Sequence, residues 1–189
     1  MNNYISRAKY LWDRIIESNK NKKILDCASG NGSQTSQQWI EWGLSPQNII
    51  AIDVNEDCLS VLSKLGVKTI RMDLEKESIL EKFDEEKFDV IVCSETVEHL
   101  QKNTADKLLF DFLKVLNKNG TLVMTYPSKA YPSKDGKHNT PYGHCRQPNN
   151  AEIELIVEPF FEKKYSNKWF VTERHPHDPA CFLMFCGKK

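Results

Sequence analysis

The chain has 189 residues, 40% of them hydrophobic and 28% charged, which suits one soluble domain with a sizeable core. Lys plus Arg and Asp plus Glu both number 26, so the net charge is zero, which argues against a long polyanion as partner while leaving room for a small basic patch. No run reaches the length of a membrane span. The six cysteines, none in a C-x-x-C pair, read as free thiols of a reducing, cytoplasmic setting rather than a disulfide framework.

Tyr4, Ala8, Leu11, Trp12, Ile15 and Ile16 recur at helical spacing and predict an amphipathic helix over 3–18. Its scattered charges and missing apolar segment do not fit a secretory signal. A short strand follows over 23–27, then the loop Ala28-Ser29-Gly30-Asn31-Gly32, then a helix over 33–42 stopped by Gly43. Strands over 48–53 and 67–71 flank a helix over 56–65, and each is followed by an acidic residue, Asp53 and Asp73. Residues 88–93 form a near-continuous apolar strand, as expected where both faces are covered. A helix lined by Leu108, Leu109, Phe112, Leu113, Val115 and Leu116 ends before Asn119-Gly120, and a fifth strand spans 121–126. Residues 127–148 carry no periodic pattern, the mark of a functional or mobile segment. A helix over about 149–157 and two closing strands, roughly 161–171 and 181–186, complete the chain. Trp39, Trp42 and Trp169 read as packing residues.

Strands alternating with helices predict one α/β domain, 1–189, with a mostly parallel sheet, and such sheets bind ligands beyond the carboxyl ends of their strands. The stretch Ile24-Leu25-Asp26-Cys27-Ala28-Ser29-Gly30-Asn31-Gly32 ends a strand in a carboxylate and opens a helix with G-x-G. Thr35 stands where a dinucleotide fingerprint needs its third glycine, and Asp26 favours a ligand with a cationic amine over a pyrophosphate. Asp53 is placed for ribose hydroxyls or for capping the next helix. Asp73 is placed to reach an adenine amino group or to close a surface turn.

Taken together, ILDCASGNG, IIAIDVNEDCL, IRMDLE, FDVIVCSETVEHL and LNKNGTLVMTYPS resemble, in order and spacing, the class I S-adenosylmethionine-dependent methyltransferases. The resemblance implies a Rossmann-like sheet of seven strands with helices on both faces and the last strand antiparallel. It implies S-adenosylmethionine as cofactor, with Asp26, Ala28, Gly30 and Gly32 around the methionine part, Asp53 and Val54 at the ribose, Asp73 and Leu74 beside the adenine, and Ser94 close by. Ala28 and Ser29 depart mildly from the family's glycine-rich loop.

Ser94-Glu95-Thr96-Val97-Glu98-His99-Leu100 leaves more than one reading open. Glu95 and Glu98 suit the first turn of a short helix, where negative charge opposes the dipole. Residues at i, i+3 and i+4 share a helical face, so Glu95, Glu98 and His99 could hold a metal such as Mg²⁺ or Mn²⁺. E-x-x-E-H resembles the metal-dependent ubiquinone-biosynthesis O-methyltransferases and the small-RNA 3′-end 2′-O-methyltransferases. In the latter a later histidine completes the site, and His144 fits better here than His138. Proton transfer by His99, His138 or His144, with Glu98 also a catalytic candidate, needs no metal. Thr140-Pro141-Tyr142-Gly143-His144-Cys145-Arg146-Gln147 resembles a Y-G-H-x-R element of members acting on sugars and other small molecules, which would turn Tyr142, His144 and Arg146 to the substrate. His175 and His177 match no role. The expectation is a methyltransferase acting on a hydroxyl of a small molecule, a sugar or secondary metabolite, with metal assistance open. The alternatives are a metal-dependent RNA 2′-O-methyltransferase, which a basic stripe of Lys129, Lys134, Lys137 and Arg146 would favour, and a cofactor-binding partner without activity.

Overall fold

The computed structural model describes residues 6–127, 148–170 and 179–189, with the backbone alone at 167–170 and 179–180. His138, Tyr142, His144, Cys145, Arg146, His175, His177 and the lysines of the loop after the fifth strand lie outside the described residues, as does the side chain of Trp169.

A helical segment opens the domain: α1, Arg7–Leu11, runs through a π-helical stretch, Trp12–Ile16, into a 3₁₀ turn, Glu17–Asn19. Then come β1 (Ile24–Cys27), α2 (Ser36–Glu41), β2 (Ile49–Asp53), α3 (Glu56–Lys64), β3 (Lys68–Arg71) and α4 (Ile79–Lys82). They are followed by β4 (Phe88–Ser94), α5 (Lys102–Val115), β5 (Leu116–Pro127), α6 (Asn150–Val157), β6 (Phe161–Phe170) and β7 (Pro179–Lys188). One seven-stranded sheet has the order β3-β2-β1-β4-β5-β7-β6. Every pairing from β3 to β5 is parallel, and β7 runs antiparallel to both its neighbours. The strand order reverses between β1 and β4, so their carboxyl ends diverge there and leave a crevice.

Side-chain alternation explains the apolar runs. Leu25, Cys27, Ile50, Ile52, Ile91, Cys93, Leu122 and Met124 face one layer, packed under α4, α5 and α6. Ile24, Ile49, Ala51, Val90, Val92 and Val123 face the other, packed under α1, α2 and α3. Both faces are dry, so neither parity of the strand is free to be polar. Asp26 lies between Leu25 and Cys27 and is therefore turned to the second face, toward α2.

Three elements differ from the sequence expectation. The short α4 carries too few residues for a periodic signal; it exists because Ser78 caps its start and Ile79 and Phe83 bury against the sheet. The fifth strand starts at Leu116, directly after α5, and bulges: its register with β4 shifts between Phe88 and Val90, and Asn119 takes a left-handed backbone at φ 66°. The helix expected under Glu95, Glu98 and His99 is one 3₁₀ turn, Val97–His99, which Glu95 does not enter.

Candidate active site

The loop after β1 is pinned from two sides. Ser29 N–H donates to Ile52 O at 3.0 Å and Gly30 N–H donates to Asp53 Oδ2 at 2.8 Å, so the loop leans on the end of β2. Ala28, Gly30 and Gly32 all have left-handed backbones, at φ 55°, 54° and 73°. A Cβ at Gly30 would meet nothing within 4 Å, so the loop faces open space there; one at Gly32 would lie 2.5 Å from Leu62 Cδ2. The first glycine leaves room for a ligand and the second allows the loop to pack on α3.

Asp26 sits beneath this loop and is only 1% exposed. Its Oδ2 accepts the hydroxyl of Ser36, the first residue of α2, while Oδ1 is buried with no partner among the described residues. Burial pushes its carboxyl above the usual range, opposed by the Ser36 hydroxyl. An unpaired buried carboxylate oxygen suits a ligand ammonium, which restores both charge and hydrogen bonding.

Asp53 ends β2 and accepts from the backbone N–H of Gly30 and of Asn55, one to each oxygen. The cap of α3 is Asn55, whose Oδ1 accepts Cys58 N–H. Asp53 thus fixes the loop and keeps further lone pairs for hydroxyl donors. Val54 beside it is an exposed apolar residue, and Leu74 packs half-buried against the core. Asp73 closes its own turn: it accepts Glu75 N–H at 3.1 Å and pairs with Lys76 at 2.9 Å, and that lysine draws its carboxyl below the ordinary value.

At the end of β4 the chain turns sharply. Glu95 N–H donates to Thr125 O at 2.8 Å, extending the β4–β5 ladder by one rung, and Glu95 then takes φ 52°. That turn folds its side chain back over β5, where Thr125 Oγ1 donates to Glu95 Oε1 at 2.8 Å. Thr125 has one hydroxyl proton, so Ser94 must be the donor in the 2.7 Å contact between the two hydroxyls. The chain Ser94 to Thr125 to Glu95 therefore has a direction and ends on a carboxylate. Arg7 of α1 approaches Glu95 Oε2 with Nη2 at 3.9 Å.

Glu98 is 1% exposed, and both its oxygens lack partners among the described residues. Burial first, and then the charge of Glu95, push its carboxyl well above the ordinary range; Arg7 opposes this. His99 Nε2 stands 3.9 Å from Glu98 Oε1, beyond hydrogen-bond range. Among the described residues no three His, Cys, Asp or Glu side chains gather as a metal site. Glu95 is engaged by Thr125 and faces a guanidinium, which disfavours a cation at that carboxylate. His144, expected as the fourth ligand and as a catalytic residue, lies outside the described residues. Neither Thr125 nor Arg7 carries a sequence signal. Thr125 is one residue of an apolar strand and Arg7 one charge on an amphipathic helix, and only the reversal of the chain at Glu95 brings them to the site.

A glycine loop over β1, a carboxylate at the end of β2 and a polar turn after β4 all meet at the crevice where the strand order reverses. A family model described as a methyltransferase domain matches residues 18–170. The chain belongs to this methyltransferase family. No curated protein is significantly similar to it in sequence. Among solved structures, a SAM-dependent methyltransferase from Archaeoglobus fulgidus is similar with a TM-score of 0.69 and 17% identity, over 93% of this chain and 91% of that one. The N-methyltransferase NodS from Bradyrhizobium japonicum WM9 is similar with a TM-score of 0.69 and 16% identity, over 97% and 95%. The PH0226 protein from Pyrococcus horikoshii OT3 is similar with a TM-score of 0.68 and 18% identity, over 100% and 92%. At these identities the likeness concerns the fold. Among the described residues no helix of this methyltransferase is long and apolar enough to cross a membrane.

Proposed function

We propose that this methyltransferase acts on a hydroxyl group of a small-molecule acceptor. The observation that carries the reading is Glu95, a carboxylate aimed by Thr125, by its own backbone N–H and by Arg7 at the end of β4. A hydroxyl nucleophile needs its proton taken as the new bond forms, and a fixed carboxylate in that crevice is suited to the task. The cofactor supplies an electrophilic methyl group. This chain's residues hold it, with the orphan oxygen of Asp26 and the open loop at Gly30 for the amino-acid part, Gly32 and Ala28 shaping the loop, and Asp53 for the ribose. Val54 lies beside Asp53 at the ribose, Asp73 and Leu74 border the adenine, and Ser94 stands behind the methyl. His99 and, on the sequence pattern Y-G-H-x-R alone, His144 flank the acceptor.

Balanced charge favours a small acceptor over RNA. The test has two stages. Calorimetry with S-adenosylmethionine should give saturable binding, abolished or strongly weakened in Asp53→Ala. Transfer of a labelled methyl group is then compared across alcohols, amines and RNA, with chelator and with added Mn²⁺. Transfer to alcohols that survives the chelator supports the reading. Transfer to RNA that needs Mn²⁺ would establish the metal-dependent RNA alternative, transfer to alcohols that needs Mn²⁺ would make the hydroxyl chemistry metal-assisted, and transfer to amines alone would reject hydroxyl chemistry.

A further inference from the structure

Away from the crevice, a cavity of about 540 Å³ opens between the N-terminal helical segment and the last two strands. It is lined by Tyr10 and Arg14 of that segment, by residues 164–166 of β6, and by Phe182 and Met184 of β7, none of which belongs to the crevice. Tyr165 and Met184 are register partners, so they stand side by side on one face of the sheet, and Tyr165 is half-exposed. Tyr10 meets Phe182 edge to face at 5.1 Å, so much of the apolar lining is aromatic. Arg14 holds its guanidinium 4.5 Å from the centre of the Tyr10 ring and, among the described residues, makes no hydrogen bond and no ion pair. Lys164 does not share this role. It pairs in register with Phe185, whose ring packs under α6, and Glu158 at 2.9 Å and Glu154 at 3.2 Å hold its ammonium on that face. Arg14 is therefore the uncompensated charge of the cavity.

We propose that this cavity binds a small aromatic carboxylate, its carboxylate accepting from the Arg14 guanidinium and its ring lying against Tyr165, Phe182 and Met184. A guanidinium only donates, so its partner must accept, and a carboxylate takes two of its N–H groups at once. One uncompensated cation balances one negative charge, which matches a carboxylate and leaves a phosphate dianion half compensated. An aromatic ring gains edge-to-face contacts with Tyr165 and Phe182 and a sulfur contact with Met184, which an aliphatic body of the same size does not. The volume falls within the range of small-molecule sites, roughly 300–1,000 Å³. This site is separate from the one proposed for methyl transfer and stands whether or not the acceptor is an alcohol.

The test uses the full chain labelled at its methionine methyl groups and follows the Met184 signal in ¹H–¹³C spectra, assigned by its loss in Met184→Leu. Met72 and Met124, both buried in the other core layer, serve as internal references. Sodium benzoate is expected to move the Met184 signal saturably and to leave the references in place. Its apparent affinity should be at least about tenfold weaker in Arg14→Gln, as for one lost charge-assisted hydrogen bond. Arg14 is exposed, so this variant keeps the fold. Benzylammonium chloride and phenyl phosphate should bind at least about tenfold more weakly than benzoate, and cyclohexanecarboxylate about threefold more weakly. A Met184 signal indifferent to benzoate overturns the proposal, and so does equal affinity in Arg14→Gln. A Met124 shift as large as that of Met184 would put the benzoate elsewhere and overturn it too. Any of the other three probes binding as tightly as benzoate would reject the aromatic carboxylate as the ligand class.

Discussion

Burial raises the Asp26 carboxyl, so replacing it with asparagine should separate its effect on stability from its effect on binding. Asparagine keeps an acceptor for the Ser36 hydroxyl and removes a buried charge, so Asp26→Asn is expected to melt at or above the wild-type temperature at neutral pH. Its affinity for S-adenosylmethionine should fall about 10- to 100-fold, the worth of one charge-assisted hydrogen bond. Calorimetry and thermal melts on one preparation check both, and equal affinity would show that Asp26 does not hold the cofactor's amine. Gly32→Ala tests a different cause. Its Cβ would overlap Leu62 Cδ2 in a left-handed turn, so overpacking should cost about 1–3 kcal/mol and show as a lower melting temperature. Ala28 is left-handed too, at φ 55°, a conformation that glycine adopts at no steric cost and an alanine only with strain.

Among elements, β5 carries the site as much as β4 does. Thr125 is fully buried, and its hydroxyl links Ser94 to Glu95 across the two strands. Thr125→Val keeps the shape and removes the link. It should cost about 1–2 kcal/mol, since Ser94 loses its acceptor in a dry place while Glu95 turns toward water. Methyl transfer should fall with cofactor affinity unchanged, because the aim of Glu95 is lost and the glycine loop is untouched. A drop in cofactor affinity of equal size would place Thr125 in the cofactor site instead. The same pair of strands shows where sequence pattern stops. Near-continuous apolar runs set β4 and β5 within a few residues, because both faces of a parallel sheet must be dry. The bulge at Asn119-Gly120 and the left-handed turn at Glu95 depend on how β4 meets β5, and no local periodicity encodes that meeting. Hence the expected helical face of Glu95, Glu98 and His99 became a reversal with one 3₁₀ turn. The carboxylates at the ends of β1, β2 and β3 were legible for the opposite reason, because strand ends fix position directly.

For the molecule as a whole, the buried acids set how stability depends on pH. Glu98, like Asp26, has its carboxyl raised in the fold, so between the unfolded glutamate value of about 4.3 and its own higher value the native state holds the extra proton. The slope of unfolding free energy with pH is then negative: stability from this group is fully present below the unfolded value and is lost as pH rises through the folded one. Asp73 and Glu86, the latter just before β4 and paired with Lys23 at 3.0 Å and Lys68 at 3.5 Å, act in the other direction. Lysine partners lower their carboxyls, so their contribution is present above the ordinary carboxylate range and fades as pH falls through their own values. Glu98→Gln isolates the first effect. Above the window the variant should melt higher than the wild type, by about 2–4 °C for each kcal/mol of buried-charge penalty removed in a domain of this size. Below the window the two should converge, since both then carry a neutral side chain. Melting curves collected from neutral to mildly acidic pH, without cofactor, read this directly. A gap that persists unchanged to acid pH would mean that Glu98 is neutral throughout, or that the glutamine repairs packing, and the buried acid would then carry no pH-dependent cost.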